Sequence, residues 1–165
     1  MTEGESHFLK VAVPAALLSQ RETGVPASIT IAQAILESGW GCSALARLGL
    51  NFFGIKAEAY VHPDGYIELP THEVVNGHSV EEQARFARYA TVADSFKAHA
   101  WLLSAAHRYA RAMEARQDAA KFAAALETCG YSTDPHYGQS LMRLVTEFDL
   151  TQYDVPQPKG GTYAV

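Results

Sequence analysis

Cysteine is scarce in this chain, with two among 165 residues, Cys42 and Cys129. That count excludes a disulfide-dense scaffold and a four-thiolate zinc site. The seven histidines show no His-Glu-x-x-His spacing or comparable ligand pattern, so neither a metal nor another cofactor is expected. Positive charge is also short: 13 basic residues stand against 18 acidic ones, a net of -5. With no basic run, a nucleic-acid partner is not expected. Seven prolines and 12 glycines are too few for a collagen-like or low-complexity chain. A membrane span needs about 20 consecutive apolar residues, and none is present, so membrane insertion is not expected. The apolar stretch at residues 11–18 is interrupted by Pro14 and preceded by Glu3 and Glu5. It lacks the basic start and cleavage site of a secretory signal.

What is present is ordinary globular composition, 48% hydrophobic and 19% charged. This is enough to bury one full core and excludes bulk disorder. The expectation is one domain over residues 1–150, acting as a monomer, followed by a flexible tail over 151–165 that carries Pro156, Pro158, Gly160 and Gly161.

Helical periodicity predicts a first helix over residues 8–22, with residues 1–7 frayed, Pro14 in a first turn or at a kink, and Gly24 as the stop. Ser28 reads as the N-cap of a second helix over residues 29–39. A short helix follows near residues 43–48, then a Gly- and aromatic-rich loop over 49–66. Asn76-Gly77 is a two-residue hairpin signal, because both turn positions need positive φ. Residues 67–89 are therefore expected to form a β-hairpin. Thr91 reads as the N-cap of the next helix, through Phe96, Ala100 and Leu103. Another helix spans residues 118–129, stopped by Gly130. Asp134-Pro135 is expected to open the last helix, whose apolar face carries Leu141, Leu144, Val145 and Phe148.

The second helix is apolar nearly all round, the mark of a buried central element. Thr30, Gln33 and Glu37 share its one polar stripe, and Trp40 follows at a similar azimuth. A carboxylate at the end of such a helix is costly unless it is paired or faces a cleft. No basic residue lies within a turn of Glu37, which leaves a distant arginine or a loop N–H as its structural partner. The functional reading is that a half-buried glutamate has a raised pKa, stays protonated near neutral pH and protonates a leaving oxygen. Trp40, Phe52, Phe53, Tyr60 and Tyr66 are candidates to stack on sugar rings. Core packing competes for about half of the chain's aromatics, with Phe52 and Phe86 the first to be assigned to it.

The run Pro26-Ala27-Ser28-Ile29-Thr30-Ile31-Ala32-Gln33-Ala34-Ile35-Leu36-Glu37-Ser38-Gly39-Trp40-Gly41 resembles the signature of the bacterial peptidoglycan N-acetylglucosaminidases of glycoside hydrolase family 73. Asn51-Phe52-Phe53-Gly54-Ile55-Lys56 is similar to that family's Asn-Leu-Phe-Gly-Ile-Lys stretch, with Phe52 in place of leucine. Arg85-Phe86-Ala87-Arg88-Tyr89 and Ser95-Phe96 resemble its hairpin exit and next helix. Gly130-Tyr131-Ser132-Thr133-Asp134-Pro135-His136-Tyr137 resembles its Gly-Tyr-Ala-Thr-Asp-Pro-x-Tyr motif. These four linked motifs occur in order over residues 10–150.

The resemblance implies a lysozyme-like α+β fold, mainly helical, with a small β-hairpin lobe flanking a cleft. It implies endo-type hydrolysis of the bond following N-acetylglucosamine in peptidoglycan glycan strands, and therefore action on the bacterial cell wall. Glu37 falls on the family's general acid, and Tyr131 on its active-site tyrosine. Glu73 matches the second carboxylate, three residues before Asn76-Gly77. Alternation puts Glu73 and Thr71 on one strand face, and Glu68 on the other if the strand runs unbroken through Pro70. Gln33, Trp40, Asn51, Phe53 and Tyr137 are the substrate-binding candidates. Retention, inversion and substrate-assisted attack by the N-acetyl group all stay open. Cys42 follows the Glu37 helix and Cys129 precedes Gly130-Tyr131. Two reduced thiols are expected there rather than a bridge.

Overall fold

The computed structural model describes residues 1–57, 64–75 and 78–156, with the side chains of 72–75 and 78–81 left aside. Tyr60, the Asn76-Gly77 turn and residues 157–165 lie outside the described residues. The elements run in the order α1 (Glu3–Thr23), α2 (Ala27–Ser38), α3 (Ala44–Gly49), β1 (Tyr66–Val75), β2 (His78–Ala87), α4 (Val92–Ala105), α5 (Ala110–Glu114), α6 (Ala119–Thr128) and α7 (Tyr137–Glu147). Short 3-10 turns occupy His107–Tyr109 and Leu150–Tyr153. The architecture is a helical body with one two-stranded antiparallel sheet.

The chain start is more ordered than its polarity suggests. Thr2 caps α1 and accepts from the Glu5 amide, while Glu5 accepts from the Thr2 amide at 2.6 Å. This reciprocal capping box nucleates the helix five residues ahead of the expected start. The Thr-Glu-Gly-Glu run carried that signal. Pro14 sits inside the 21-residue helix, and Gly24 ends it at φ 81° as expected.

Helix α2 is the centre of the body. Ile29, Ile31, Ala32 and Ala34 are fully buried, and α1, α6, α7 and the C-terminal 3-10 turn surround them. Removing one such isoleucine side chain from water is worth about 1.5–3 kcal/mol. Ser28 is not the N-cap. Pro26 occupies that position without a side-chain bond. Asp154 supplies the missing acceptor from 126 residues away, taking hydrogen bonds from the Ser28 amide at 2.8 Å and hydroxyl at 2.7 Å. Gln20 brackets the Val155 backbone in turn, donating to its carbonyl and accepting from its amide. Residues 151–155, expected as the start of a loose tail, are thus fastened to α1 and α2.

The hairpin strands pair from Tyr66↔Ala87 to Val75↔His78, unbroken through Pro70. The segment 49–57 joins them to the body. The Ala87 amide donates to Ile55, the Tyr89 amide to Gly49, and Ile67 packs on Gly49, where an added Cβ would meet it at 3.0 Å. Helix α4 starts at Thr91 with its own capping box, and α6 starts at Asp118, both as predicted. Helix α7 begins at Tyr137, later than Asp134-Pro135 suggested. Asp134 instead accepts from the His136 amide and closes a turn before the helix. The short helical turns over residues 107–114 had no periodic signal to announce them.

Candidate active site

Glu37 occupies the last turn of α2, and three consecutive left-handed residues follow it: Gly39, Trp40 and Gly41 at φ 56°, 59° and 74°. Only glycine suits position 41. Its conformation is left-handed, and an added Cβ would meet the Phe8 ring at 3.2 Å and the Phe52 ring at 3.4 Å. The turn is held by Trp40, whose half-buried ring meets Phe8 and Phe148 edge-on at centroid distances of 5.6 and 4.8 Å. Trp40, a candidate sugar platform, thus anchors the backbone just beyond Glu37.

The acidic side chain opens to solvent, yet its carboxyl is crowded by protein. That burial raises its pKa above 4.5, opposed by a hydrogen bond from Tyr137. The carbonyl end of α2 acts in the same direction as burial. The Tyr137 hydroxyl donates to Glu37 Oε1 at 3.0 Å. It accepts in turn from Gln33 Nε2 at 3.1 Å. Gln33 is fully buried, and its Oε1 has no partner. The polar stripe of α2 is therefore a positioning device. The partner of Glu37 is neither an arginine nor a loop N–H but a tyrosine 100 residues away. With Oε1 accepting from Tyr137, the acid's proton belongs on the other carboxyl oxygen.

The tyrosines are set by the segment between α6 and α7. Gly130 turns the chain at φ 69°, and Arg108 clasps that turn through the Cys129 and Gly130 carbonyls. The helices beyond approach closely, since a Cβ on Gly138 would lie 3.0 Å from the Ala123 carbonyl oxygen. Tyr131 and Tyr137 stack at 5.3 Å with 25° between their planes. Burial raises the pKa of both hydroxyls, with the Glu37 charge acting in the same direction. Tyr131 is also within 3.1 Å of His99 Nε2, a residue that sequence reasoning missed. Position 99 reads simply as part of the buried face of α4.

Two further candidates have structural work. Asn51 is buried, and its amide donates to the Ile55 and Ala87 carbonyls at 2.8 and 2.9 Å. Its Oδ1 accepts from the Phe53 and Ile55 amides. Asn51 thereby knots the loop to the end of β2 and has little capacity left for a ligand. Phe53 is buried too, stacked on His99 at 3.9 Å and 12°. Phe52 joins the core between Phe8 and Phe96, as expected. Tyr66 stays exposed, with Arg85 over its ring.

Backbone pairing carries Glu73 opposite Val80 on the hairpin, while its side chain lies outside the described residues. Glu68 stands opposite Arg85 and binds it at 3.1 Å. Cys42 and Cys129 are both unbridged. Among the described residues no group of His, Cys, Asp and Glu is arranged to hold a metal ion, and no helix is long and apolar enough to cross a membrane. A cavity of about 970 Å³ between α4 and Tyr89 is lined by none of Gln33, Glu37, Tyr131 or Tyr137.

The mainly helical, lysozyme-like α+β body with its two-stranded sheet is that of a glycoside hydrolase. The sequence profile of the glucosaminidase family, described as mannosyl-glycoprotein endo-beta-N-acetylglucosaminidase, matches residues 13–150, and the chain belongs to this family, glycoside hydrolase family 73. Exo-glucosaminidase LytG of Bacillus subtilis (strain 168) is 38% identical over 136 residues, covering 79% of this chain and 47% of LytG. A C-terminally truncated glycoside hydrolase domain of Salmonella typhimurium FlgJ is 33% identical at a TM-score of 0.71, covering 88% of this chain and 97% of that one. The catalytic domain of the Listeria monocytogenes autolysin Auto superposes at a TM-score of 0.82 with 27% identity, covering 93% and 89%. The chain spans about half or less of the length of the curated relatives it matches.

Proposed function

We propose that this chain is an endo-β-N-acetylglucosaminidase that cleaves peptidoglycan glycan strands at the bond following N-acetylglucosamine, on the bacterial cell wall. The observation that carries the reading is the carboxyl of Glu37. It is raised in pKa by burial and held at one oxygen by Tyr137, whose hydroxyl accepts in turn from Gln33. A protonated Glu37 gives its proton to the glycosidic oxygen as the C1–O bond breaks, and an oxocarbenium-like sugar develops. Glu73 then takes a proton from the water that attacks C1. Tyr131 faces the same reaction from the far side of Tyr137 and orients the substrate's acetamido group. No metal or organic cofactor enters this scheme.

Mass spectrometry of reduced digestion products from purified peptidoglycan tests it. A glucosaminidase leaves N-acetylglucosamine at the new reducing ends. N-acetylmuramic acid there would make the protein a muramidase, and anhydro ends a lytic transglycosylase. Wall binding without any product would reduce it to a binding domain. Internal chain cuts separate endo from exo action.

A further inference from the structure

The two stacked tyrosines are each met from behind by one buried nitrogen. Gln33 Nε2 reaches the Tyr137 hydroxyl at 3.1 Å, and His99 Nε2 reaches the Tyr131 hydroxyl at 3.1 Å. Because Gln33 donates, the Tyr137 proton is directed to Glu37. The His99 contact has two possible polarities, and the rest of its surroundings decides between them. His99 is fully buried, its ring lies flat on Phe53 at 3.9 Å, and Nδ1 has no partner among the described residues. If the proton sat on Nδ1, a buried N–H would go without an acceptor. If it sits on Nε2, only a lone pair goes unsatisfied. Orphaned buried donors are the rarer and costlier case.

We propose that His99 is a neutral Nε2–H positioning residue: it donates to the Tyr131 oxygen and so turns the Tyr131 proton away from the His99 ring and the core. His99 thereby does for Tyr131 what Gln33 does for Tyr137: each phenol oxygen accepts from one buried nitrogen. A hydroxyl already accepting a hydrogen bond is a better donor. Burial lowers the His99 pKa to about 3, which keeps the ring uncharged in neutral solution. The ring contacts of His99 are with Phe53 and Tyr131, both uncharged.

The assignment of roles to Tyr131 and Glu37 rests on the proposed function, whereas the tautomer of His99 can be measured without it. Two-bond proton–nitrogen correlation spectra of the full chain labelled with 15N-histidine should show a neutral His99 protonated on Nε2 alone. Protonation on Nδ1 would overturn the proposal, whatever the enzyme turns out to cleave. In kinetics on purified peptidoglycan, His99→Phe keeps the stack on Phe53 and deletes the donor. It should lower kcat about 10-fold, the worth of one modest hydrogen bond, with KM little changed. His99→Gln returns an N–H near the Nε2 position and should recover much of that loss. A folded His99→Phe enzyme with wild-type kcat would also overturn the proposal, as would a folded His99→Gln enzyme no better than His99→Phe. If His99→Phe fails to fold, the wild-type tautomer decides alone. A wild-type chain that makes no glycan product would sink the proposed function but leave the tautomer result standing.

Discussion

Glu37 and Glu73 are carried by unlike frames. Glu37 sits on a helix enclosed by α1, α6, α7 and the C-terminal turn, with one carboxyl oxygen bound through Tyr137 to Gln33. Glu73 sits on a two-stranded sheet whose ties to the body lie at its base, through Gly49, Asn51 and Ile55. A two-stranded ribbon alone is marginally stable in water. In the proposed mechanism the body supplies pre-organisation at the acid, where a proton must be held at one oxygen, and the hairpin supplies a carboxylate whose approach can follow substrate binding.

Removing the proton donor from the rigid frame should have the largest effect. Glu37→Gln deletes the transferable proton at almost no change in volume. Turnover of purified peptidoglycan should fall by about 10²–10⁴-fold, with an unchanged melting temperature. Near wild-type activity would show that the acid lies elsewhere.

The hairpin comes next. Glu73→Gln should lower kcat by about 10²-fold while pull-down on intact walls survives. Glu68→Gln breaks only an exposed pair with Arg85, worth about 1 kcal/mol or less, and should leave turnover alone. A dead Glu68→Gln enzyme of unchanged melting temperature would mean that the wrong hairpin carboxylate had been chosen.

Smaller effects should follow where the body tunes its acid. In the proposed mechanism Glu37 must be protonated, so turnover should fall as pH rises through its elevated pKa. The Tyr137 O–H favours the carboxylate and holds that pKa down against burial. Tyr137→Phe should therefore shift the alkaline limb of the pH–kcat profile upward and lower the maximum about 10-fold. A downward shift would contradict the donor assignment.

The joint between the two regions gives the mildest catalytic change. Asn51→Ala leaves the buried Ala87 and Ile55 carbonyls without their side-chain donor, at a cost of about 1–3 kcal/mol. The melting temperature should drop while KM for peptidoglycan holds. A raised KM at constant melting temperature would restore Asn51 to the substrate-binding set.

Much of the fold was legible because it is written in local chemistry. The Thr91 cap, the helix opening near Asp118, the Gly24 and Gly130 stops, and the strands on either side of Asn76-Gly77 are short-range rules, and they hold where the structure describes them. The failures were non-local. Ser28 carried the composition of a cap, but Asp154 performs that role from across the chain. Trp40, Asn51 and Phe53 have the residue types of a sugar site, and the fold adds to them contacts with Phe8, Ile55 and His99 that no local pattern shows.

The sequence by itself determined that Glu37 is an acid with no nearby counter-charge on the polar stripe of a buried helix, because helical spacing and burial follow from the order of residues. It also determined the family, through four motifs in order. Only the tertiary structure decided what holds that acid. Gln33, Glu37, His99, Tyr131 and Tyr137 come from three helices and one turn. A hydrogen bond about 3 Å long between residues 100 positions apart depends on how those helices pack, which no local pattern encodes.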